Sequence, residues 1–350
     1  IGSVNVAKKL KLNNLITFDM GGTSTDVCLI LNGTPSKKNI RDIGGFPVRS
    51  RTIDVHNIGA GGGSIAWIDP GGLLKVGPRS SGAYPGPACY NRGGTLPTVT
   101  DANLVLGRLS SEVKLAGSVV LNKDLALKAL KPLAKSLKID EIEAAAGIIE
   151  IVNTNMMGAV RVISVEQGFD PREFPMLAFG GAGPLHGVEV AKAMELSKVI
   201  ISPRPGLLSA VGLLQADQRA DFSVTKILPL EKSSIRPIIN ACKILHEKAE
   251  KWISDEDLKE SSVLFELATE MRYLGQSLDL LVPLAEKDLN ELKLIEMSKI
   301  FHRIHEERFG YFLDNHPLEI VNIRLVAKTR NDDTDIKQIN SENLDKDNDK

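Results

Sequence analysis

The sequence predicts an α/β domain followed by a smaller α+β domain, and three observations carry that prediction. Leu15-Ile-Thr-Phe18 and Val27-Cys-Leu-Ile-Leu31 are short apolar runs flanking a glycine turn, and each reads as a buried strand. From 174 to 214 strand and helix signals alternate, as an α/β layer requires. From about 217 the pattern changes to helix, strand, strand, helix, strand. A length of 350 residues accommodates two domains.

In chain order, Ile1 to Leu10 reads as the end of a helix already under way, which suggests a fragment or a truncated or split gene. The strand at Leu15 then enters Asp19-Met-Gly21-Gly22-Thr23-Ser24-Thr25-Asp26. The second strand closes at Asn32-Gly33, a strong hairpin signal. The glycine turn has the parts of a phosphate cradle: Gly21 and Gly22 allow close approach to backbone N–H groups, and Thr23, Ser24 and Thr25 add hydroxyls. Asp19 and Asp26 would repel phosphate. Their expected use is catalytic, to hold Mg²⁺ directly or through its water shell, with Asp19 as the metal ligand, or to orient a water.

The stretch Phe18-Asp-Met-Gly-Gly-Thr-Ser-Thr-Asp-Val27 resembles the second glycine–threonine signature of the hydantoinase A/oxoprolinase family. That family is similar in fold to the sugar kinase, Hsp70 and actin superfamily, with two RNase H-like α/β domains and the nucleotide between them. The resemblance therefore implies an actin-like (RNase H-like) ATPase domain with a small C-terminal α+β domain. The family normally carries a further N-terminal region with its own Asp-x-Gly-Gly-Thr motif, whereas the GGTxTD pattern occurs here only at 21–26.

Residues 35 to 58 read as further strands broken at Gly44-Gly45. Gly59 to Ser64 then places four glycines in six residues. As a dinucleotide fingerprint this fails, because Ser64 stands where a glycine is needed. Spacing leaves a tight bend and a second anion loop equally open. The string GAGGGSIAW resembles the family's, which favours cofactor binding by Gly61, Gly62 and Gly63. Residues 71 to 101 are dense in glycine and proline and read as a long folded loop over the active cleft, in preference to a linker. This loop also resembles the family's, with Ser81 where alanine is usual. Cys89 invites a nucleophile reading, but no histidine is near in sequence and a buried structural thiol is expected. Thr100-Asp101-Ala-Asn103 reads as a helix cap.

A helical insertion is expected over about 110–139. Asp140 then opens a long helix as N-cap with Glu143 in the capping-box position, and its apolar residues recur every three or four positions to Ile163. On this helix Asn153, Asn155 and Arg161 read as a solvated face. Phe174 to Phe179 is a strand running into Gly180-Gly181-Ala-Gly183-Pro-Leu-His186-Gly, then a helix. A helix N-terminus after a glycine turn favours phosphate or ribose oxygens. The string resembles the family's version of the superfamily's adenosine motif, which implies nucleotide contacts at Gly180, Gly181 and Gly183. His186 reads as a hydrogen-bonded structural or ligand-contact residue more readily than as a catalyst. No Walker A string is present.

In the second domain, Ile235 to Trp252 is an amphipathic helix, Val263 to Tyr273 a strand, Leu289 to Phe309 a second helix and Glu319 to Lys328 a last strand. His302 and His305 have a spacing that suits a metal, but without a nearby acidic or histidine partner they read as a solvated face. The expected domains are a nucleotide-binding α/β domain over 1–216, an α+β domain over 217–329 and a disordered tail over 330–350.

A net charge of −1 gives no reason to expect nucleic acid or an anionic membrane as partner, and no apolar run approaches the ~18 residues of a transmembrane helix. Three widely spaced cysteines imply neither a disulfide nor a zinc framework and suit a reducing cytoplasm. The resemblance implies ATP and Mg²⁺, or another divalent cation, as cofactors and a cyclic amide such as 5-oxoproline or a hydantoin as substrate. It also implies a hydantoinase B-type subunit or domain as partner, with the missing N-terminal half as another if the gene is split. An ATP-dependent ketone carboxylase subunit and a non-catalytic half of a split gene are the alternatives.

Overall fold

A computed structural model describes residues 1–43, 45–112, 114, 117, 119–259, 262–285 and 289–329. Of the expected Gly44-Gly45 break, Gly44 lies outside the described residues and Gly45 takes a positive φ; the expected disordered tail lies outside the described residues. The chain divides into two compact units, Ile1–Leu214 and Gln215–Lys350.

Unit 1 begins with helix α1 (Gly2–Lys9), followed by β1 (Leu15–Met20), β2 (Thr25–Leu31), β3 (Thr34–Pro35), β4 (Lys37–Ile43), β5 (Phe46–Ile53), β6 (His56–Ile58), β7 (Ser64–Ile68) and β8 (Leu74–Ser80). Three helices follow, α2 (Val99–Val105), α3 (Lys123–Leu137) and α4 (Glu141–Ile163), and then β9 (Met176–Phe179), α5 (Gly183–Ala193), β10 (Val199–Ile201) and α6 (Leu208–Leu214). The central sheet runs β10-β9-β1-β2-β3, with β6 also on β2. Strand β2 is antiparallel to β1, while β9 is parallel to both β1 and β10. Three meandering strands followed by two parallel crossovers give the RNase H-like order of an actin-like domain. Asn32 and Gly33 both take positive φ, as the tight β2–β3 hairpin requires.

Period-two alternation splits β1 and β2 between two layers. Ile16, Phe18 and Met20 join Val27 and Leu29 in the main core with α4 and α5, and each such buried side chain contributes roughly 1.5–3 kcal/mol. Leu15 and Ile30 belong to a second cluster with Ala7, Phe179 and Leu208, so α1 and α6 cover part of the other face. Helix α4 opens with the expected Asp140–Glu143 capping box. Taken as a helix, Glu141–Gln167 is long and apolar enough to cross a membrane by length and composition alone. Its apolar residues, including Ala145, Ile148, Val152, Met156 and Val160, are buried in this core. Among the described residues of the expected insertion over 110–139, the helix is Lys123–Leu137, and Ala126 and Leu130 place α3 in the core. The glycine-rich stretch from 71 contains a strand the sequence reading lacked, β8, which pairs with β7.

Unit 2 contains β11 (Arg219–Pro229), α7 (Ile235–Asp255), β12 (Val263–Tyr273), β13 (Leu280–Pro283), α8 (Glu291–Phe309) and β14 (Leu318–Thr329). Its antiparallel sheet runs β11-β14-β12-β13, and the sequence reading missed β11. The solvated face expected for His302 and His305 is corrected here. His305 is 2% exposed, and both rings lie within 6 Å of Tyr273, at centroid distances of 5.8 and 5.0 Å. The His305 Nδ1–H donates to the Tyr311 carbonyl at 2.7 Å. The aromatic neighbours supplied by β12 are far away in sequence, so helical periodicity alone did not reveal them.

Candidate active site at the β1–β2 turn

The β1–β2 register pairs Phe18 with Val27, Asp19 with Asp26 and Met20 with Thr25, leaving Gly21 to Ser24 as the connecting turn. Gly21 N–H closes it by donating to the Ser24 carbonyl at 2.9 Å. Among the described residues the N–H groups of Gly22, Thr23 and Ser24 meet no protein acceptor. Gly22 and Thr23 are exposed, and a Cβ built on Gly22 meets nothing within 4 Å. This turn offers free donors and room for a ligand to reach them.

The second glycine loop lies directly behind the turn. Gly62 N–H donates to the Gly21 carbonyl at 3.0 Å and Gly63 N–H to the Gly22 carbonyl at 2.6 Å. On the far side, the Gly62 carbonyl accepts from Thr100 N–H and Oγ1, both at 2.8 Å, and the Gly63 carbonyl accepts from Ser81 N–H at 2.9 Å. Gly61 N–H donates to Ser64 Oγ at 2.8 Å. The expected cofactor contacts of Gly61, Gly62 and Gly63 are thereby corrected: all three residues are buried and their amides are used inside the protein. A Cβ on Gly61 would sit 2.6 Å from the Ser24 nitrogen, so glycine is needed there for backbone approach. Thr25 is corrected likewise. It is fully buried, and its hydroxyl donates to the Ala60 carbonyl at 2.5 Å, tying β2 to the same loop.

The two carboxylates face each other across the ladder, each held by a neutral donor from another element. Ser209 Oγ on α6 donates to Asp19 Oδ2 at 3.0 Å, and Asn57 Nδ2 on β6 donates to Asp26 Oδ1 at 2.6 Å. Burial pushes the Asp19 carboxyl above its ordinary range; the Ser209 hydrogen bond opposes this and the charge of Asp26 adds to it. Gly180 has φ +84°, and a Cβ built there would lie 2.4 Å from Asp19 Oδ1. Its N–H donates to Pro205. Gly181 is exposed, while Gly183 is buried at the start of α5, where a Cβ would lie 3.3 Å from the Phe18 carbonyl oxygen. The turn, Asp19, Asp26 and Gly180 are thus brought together, with the α5 N-terminus directly following Gly180 to Ala182.

A cavity of about 440 Å³ opens on the face of β1 and β2 that carries these acids, lined by Thr17, Asp19, Asp26, Cys28 and, from α6, Leu208, Ser209 and Leu213. Burial pushes the Cys28 thiol up to about 11, so it is not a ready nucleophile.

Two other sequence candidates are structural. His186 is fully buried between Asn153 Oδ1, 2.8 Å from its Nδ1, and Asn103 Nδ2, 3.0 Å from its Nε2. The amide orientations assign the proton to Nδ1, and burial together with nearby Arg108 lowers its pKa to about 3. Asn153, half-buried, also donates to Glu189 at 2.6 Å and so departs from the solvated face expected, whereas Asn155 and Arg161 are exposed as expected, Asn155 donating to the Val76 carbonyl at 3.3 Å. Cys89 is buried, with burial and Asp101 raising its thiol. Asp101 itself accepts from Cys89 N–H, Thr98 N–H and Thr98 Oγ1 at 2.8, 2.9 and 2.7 Å, clamping the glycine–proline loop. Thr98, and not Thr100, caps α2.

A family profile described as Hydantoinase/oxoprolinase matches residues 1–222. The chain belongs to the hydantoinase/oxoprolinase family. It is 41% identical over 339 residues to an uncharacterised protein of Methanocaldococcus jannaschii, covering 93% of this chain and 48% of that one. It is 37% identical to the caprolactamase subunit alpha of Pseudomonas jessenii (91% and 46% covered) and 34% identical to the acetophenone carboxylase gamma subunit of Aromatoleum aromaticum (79% and 39%). The solved ATP-dependent caprolactamase of Pseudomonas jessenii superposes with a TM-score of 0.73 at 36% identity, over 94% of this chain and 48% of that one. Nucleotide-free acetone carboxylase superposes at 0.83 with 23% identity, covering 94% and 48%, and shows a shared fold. The chain spans about half the length, or less, of these relatives.

Proposed function

We propose that this chain supplies the nucleotide-binding half of an ATP-dependent hydrolase that opens cyclic amides of the hydantoin or 5-oxoproline type by phosphoryl activation of the amide oxygen. The observation that carries the reading is the set of unpaired N–H groups at Gly22, Thr23 and Ser24, beside a carboxylate pair. Such a turn receives phosphate oxygens through oriented backbone dipoles. The glycine backbone at 180 and 181, leading into α5, is the place for the nucleoside side of the ligand.

The residues fit a Mg²⁺–nucleotide. Among the described residues no cluster of three or more His, Cys, Asp or Glu forms a complete metal cage. Mg²⁺ needs none, since it binds through one or two carboxylates together with phosphates and waters. Asp19 is the ligand in this reading, directly or through water. Bound Mg²⁺·ATP supplies an electrophilic phosphoryl group whose transfer to the amide oxygen makes the ring carbon attackable by water. Asp26, oriented by Asn57, stands across the ladder to accept a proton or direct a water. Gly61, Gly62, Gly63 and Thr25 keep the turn in shape and touch no ligand.

Ring opening is assigned to a hydantoinase B-type partner. The relatives named as subunits support a partnered enzyme, and three buried cysteines outside any disulfide suit a reducing cytoplasm. The relative named as a carboxylase subunit favours a second reading, a ketone carboxylase, which a requirement for bicarbonate in ATP turnover separates from the first. Isothermal titration of ADP·Mg²⁺ into the purified chain tests the nucleotide site. Binding that weakens in a folded Asp19→Ala variant supports the site, and no binding by the folded wild-type chain removes it.

A further inference from the structure

The end of β8 brings two adjacent hydroxyls to the seam between the glycine runs, and the protein uses them differently. A Cβ built on Gly63 would lie 3.0 Å from the Gly22 carbonyl oxygen, 3.0 Å from Ser80 Oγ and 3.1 Å from Ser81 Oγ, so both hydroxyls border the glycine turn. Ser81 is spent on the scaffold: its Oγ–H donates to the Gly63 carbonyl at 3.2 Å, beside its own N–H at 2.9 Å. Ser80 Oγ accepts from Gly82 N–H at 3.1 Å, but its hydroxyl hydrogen meets no acceptor among the described residues. Ser80 is partly exposed, so this donor is open to a ligand. Shaping the 80–82 turn needs only the acceptor side of the hydroxyl and leaves the donor over.

From this we infer that Ser80 is a further phosphate contact of the nucleotide site, its hydroxyl donating to a phosphate oxygen held at Gly22 to Ser24. The inference rests on the proposed nucleotide site. Phosphate oxygens have more lone pairs than three amides can meet, and hydrogen bonds to an ionised acceptor are the stronger ones. Asp19 and Asp26 repel the same phosphate, so each neutral donor near the turn offsets part of that repulsion. The Gly82 N–H bond to Ser80 Oγ also makes the hydroxyl a better donor, because hydrogen bonds in series polarise one another. Ser80 and Ser81 thus divide the work at one point: Ser81 fixes the second glycine loop, and Ser80 turns its hydrogen to the ligand.

The test titrates ADP·Mg²⁺ into the full chain, read by calorimetry and by amide NMR of the ¹⁵N-labelled protein. Ser80→Ala should weaken binding about tenfold. Ser81→Ala keeps the Ser81 N–H bond to Gly63 and should weaken it less than about threefold. In the wild-type chain the Gly82 amide resonance should move together with those of Gly22 to Ser24, because its acceptor, Ser80 Oγ, becomes a donor to phosphate. A Ser80 that only shapes its turn leaves the Gly82 amide unmoved, so this resonance decides even if Ser80→Ala does not fold. Wild-type affinity in Ser80→Ala, an equal loss in both alanine variants, or a stationary Gly82 resonance while Gly22 to Ser24 shift overturns the inference and leaves the nucleotide site standing. No ADP·Mg²⁺ binding by the folded wild-type chain overturns the nucleotide reading itself, and the Ser80 contact with it.

Discussion

Gly21-Gly22 and Gly61-Gly62-Gly63 are two glycine runs joined by hydrogen bonds across one seam, yet they do opposite things. The first leaves the amides of Gly22 to Ser24 free and opens onto empty space. The second has its amides and the carbonyls of Gly62 and Gly63 fully engaged, to the first turn on one side and to Thr100 and Ser81 on the other. Glycine serves ligand approach in one and backbone approach in the other. A glycine-rich string is therefore a statement about proximity, and only the hydrogen-bond accounting says to what.

Gly61→Ala breaks the comparison most forcefully. Its Cβ would lie 2.6 Å from backbone atoms of Thr23 and Ser24, so denaturant unfolding should show a loss of about 3 kcal/mol or more. Gly22→Ala should change stability by less than about 0.5 kcal/mol, since its Cβ meets nothing, while weakening ADP·Mg²⁺ in calorimetry. Comparable stability losses in the two variants would end the distinction.

Thr25→Val should cost about 1–3 kcal/mol by leaving the Ala60 carbonyl without its buried donor, with no change in near-native nucleotide affinity once stability is restored by lower temperature. A selective loss of affinity would return Thr25 to the ligand.

His186 sharpens the contrast between supporting and ligand-facing groups through pH. Its folded pKa, about 3, lies below the unfolded value, so the unfolded chain binds the extra proton. Its contribution is complete above about pH 6.5 and declines as pH falls toward the folded value, by at most about 1.4 kcal/mol per unit. His186→Gln should flatten that part of the stability–pH curve.

The smallest stability effect is expected at Asp19. Because burial raises its folded pKa, ionisation costs folding free energy as pH rises past the unfolded value. Asp19→Asn should therefore leave the unfolding temperature unchanged or raised while lowering affinity for ADP·Mg²⁺. A lower unfolding temperature would make Asp19 a structural residue.

Local signals were the legible ones. The strand before Asp19, the Asn32-Gly33 hairpin and the Asp140–Glu143 capping box each depend on residues a few positions apart, and each is present in the structure. The motif resemblance at Phe18 to Val27 also pointed to the correct sheet and family. What stayed hidden depends on distant partners. Nothing near Gly62 announces that Gly21 and Thr100 will be its hydrogen-bond partners, nothing near Ser209 announces Asp19, 190 positions away, and His305 of α8 is buried against a tyrosine from β12. Asn153 looked solvated because its partner His186 lies 33 residues further on.

The measurement that meets the central claim most directly is amide NMR of the ¹⁵N-labelled chain during titration with ADP·Mg²⁺. The Gly22, Thr23 and Ser24 N–H resonances should move first and farthest, while those of Gly62 and Gly63, which donate to the Gly21 and Gly22 carbonyls, move little. Large shifts at Gly62 and Gly63 with Gly22 to Ser24 unmoved would contradict it and make the second glycine loop the one that meets the ligand.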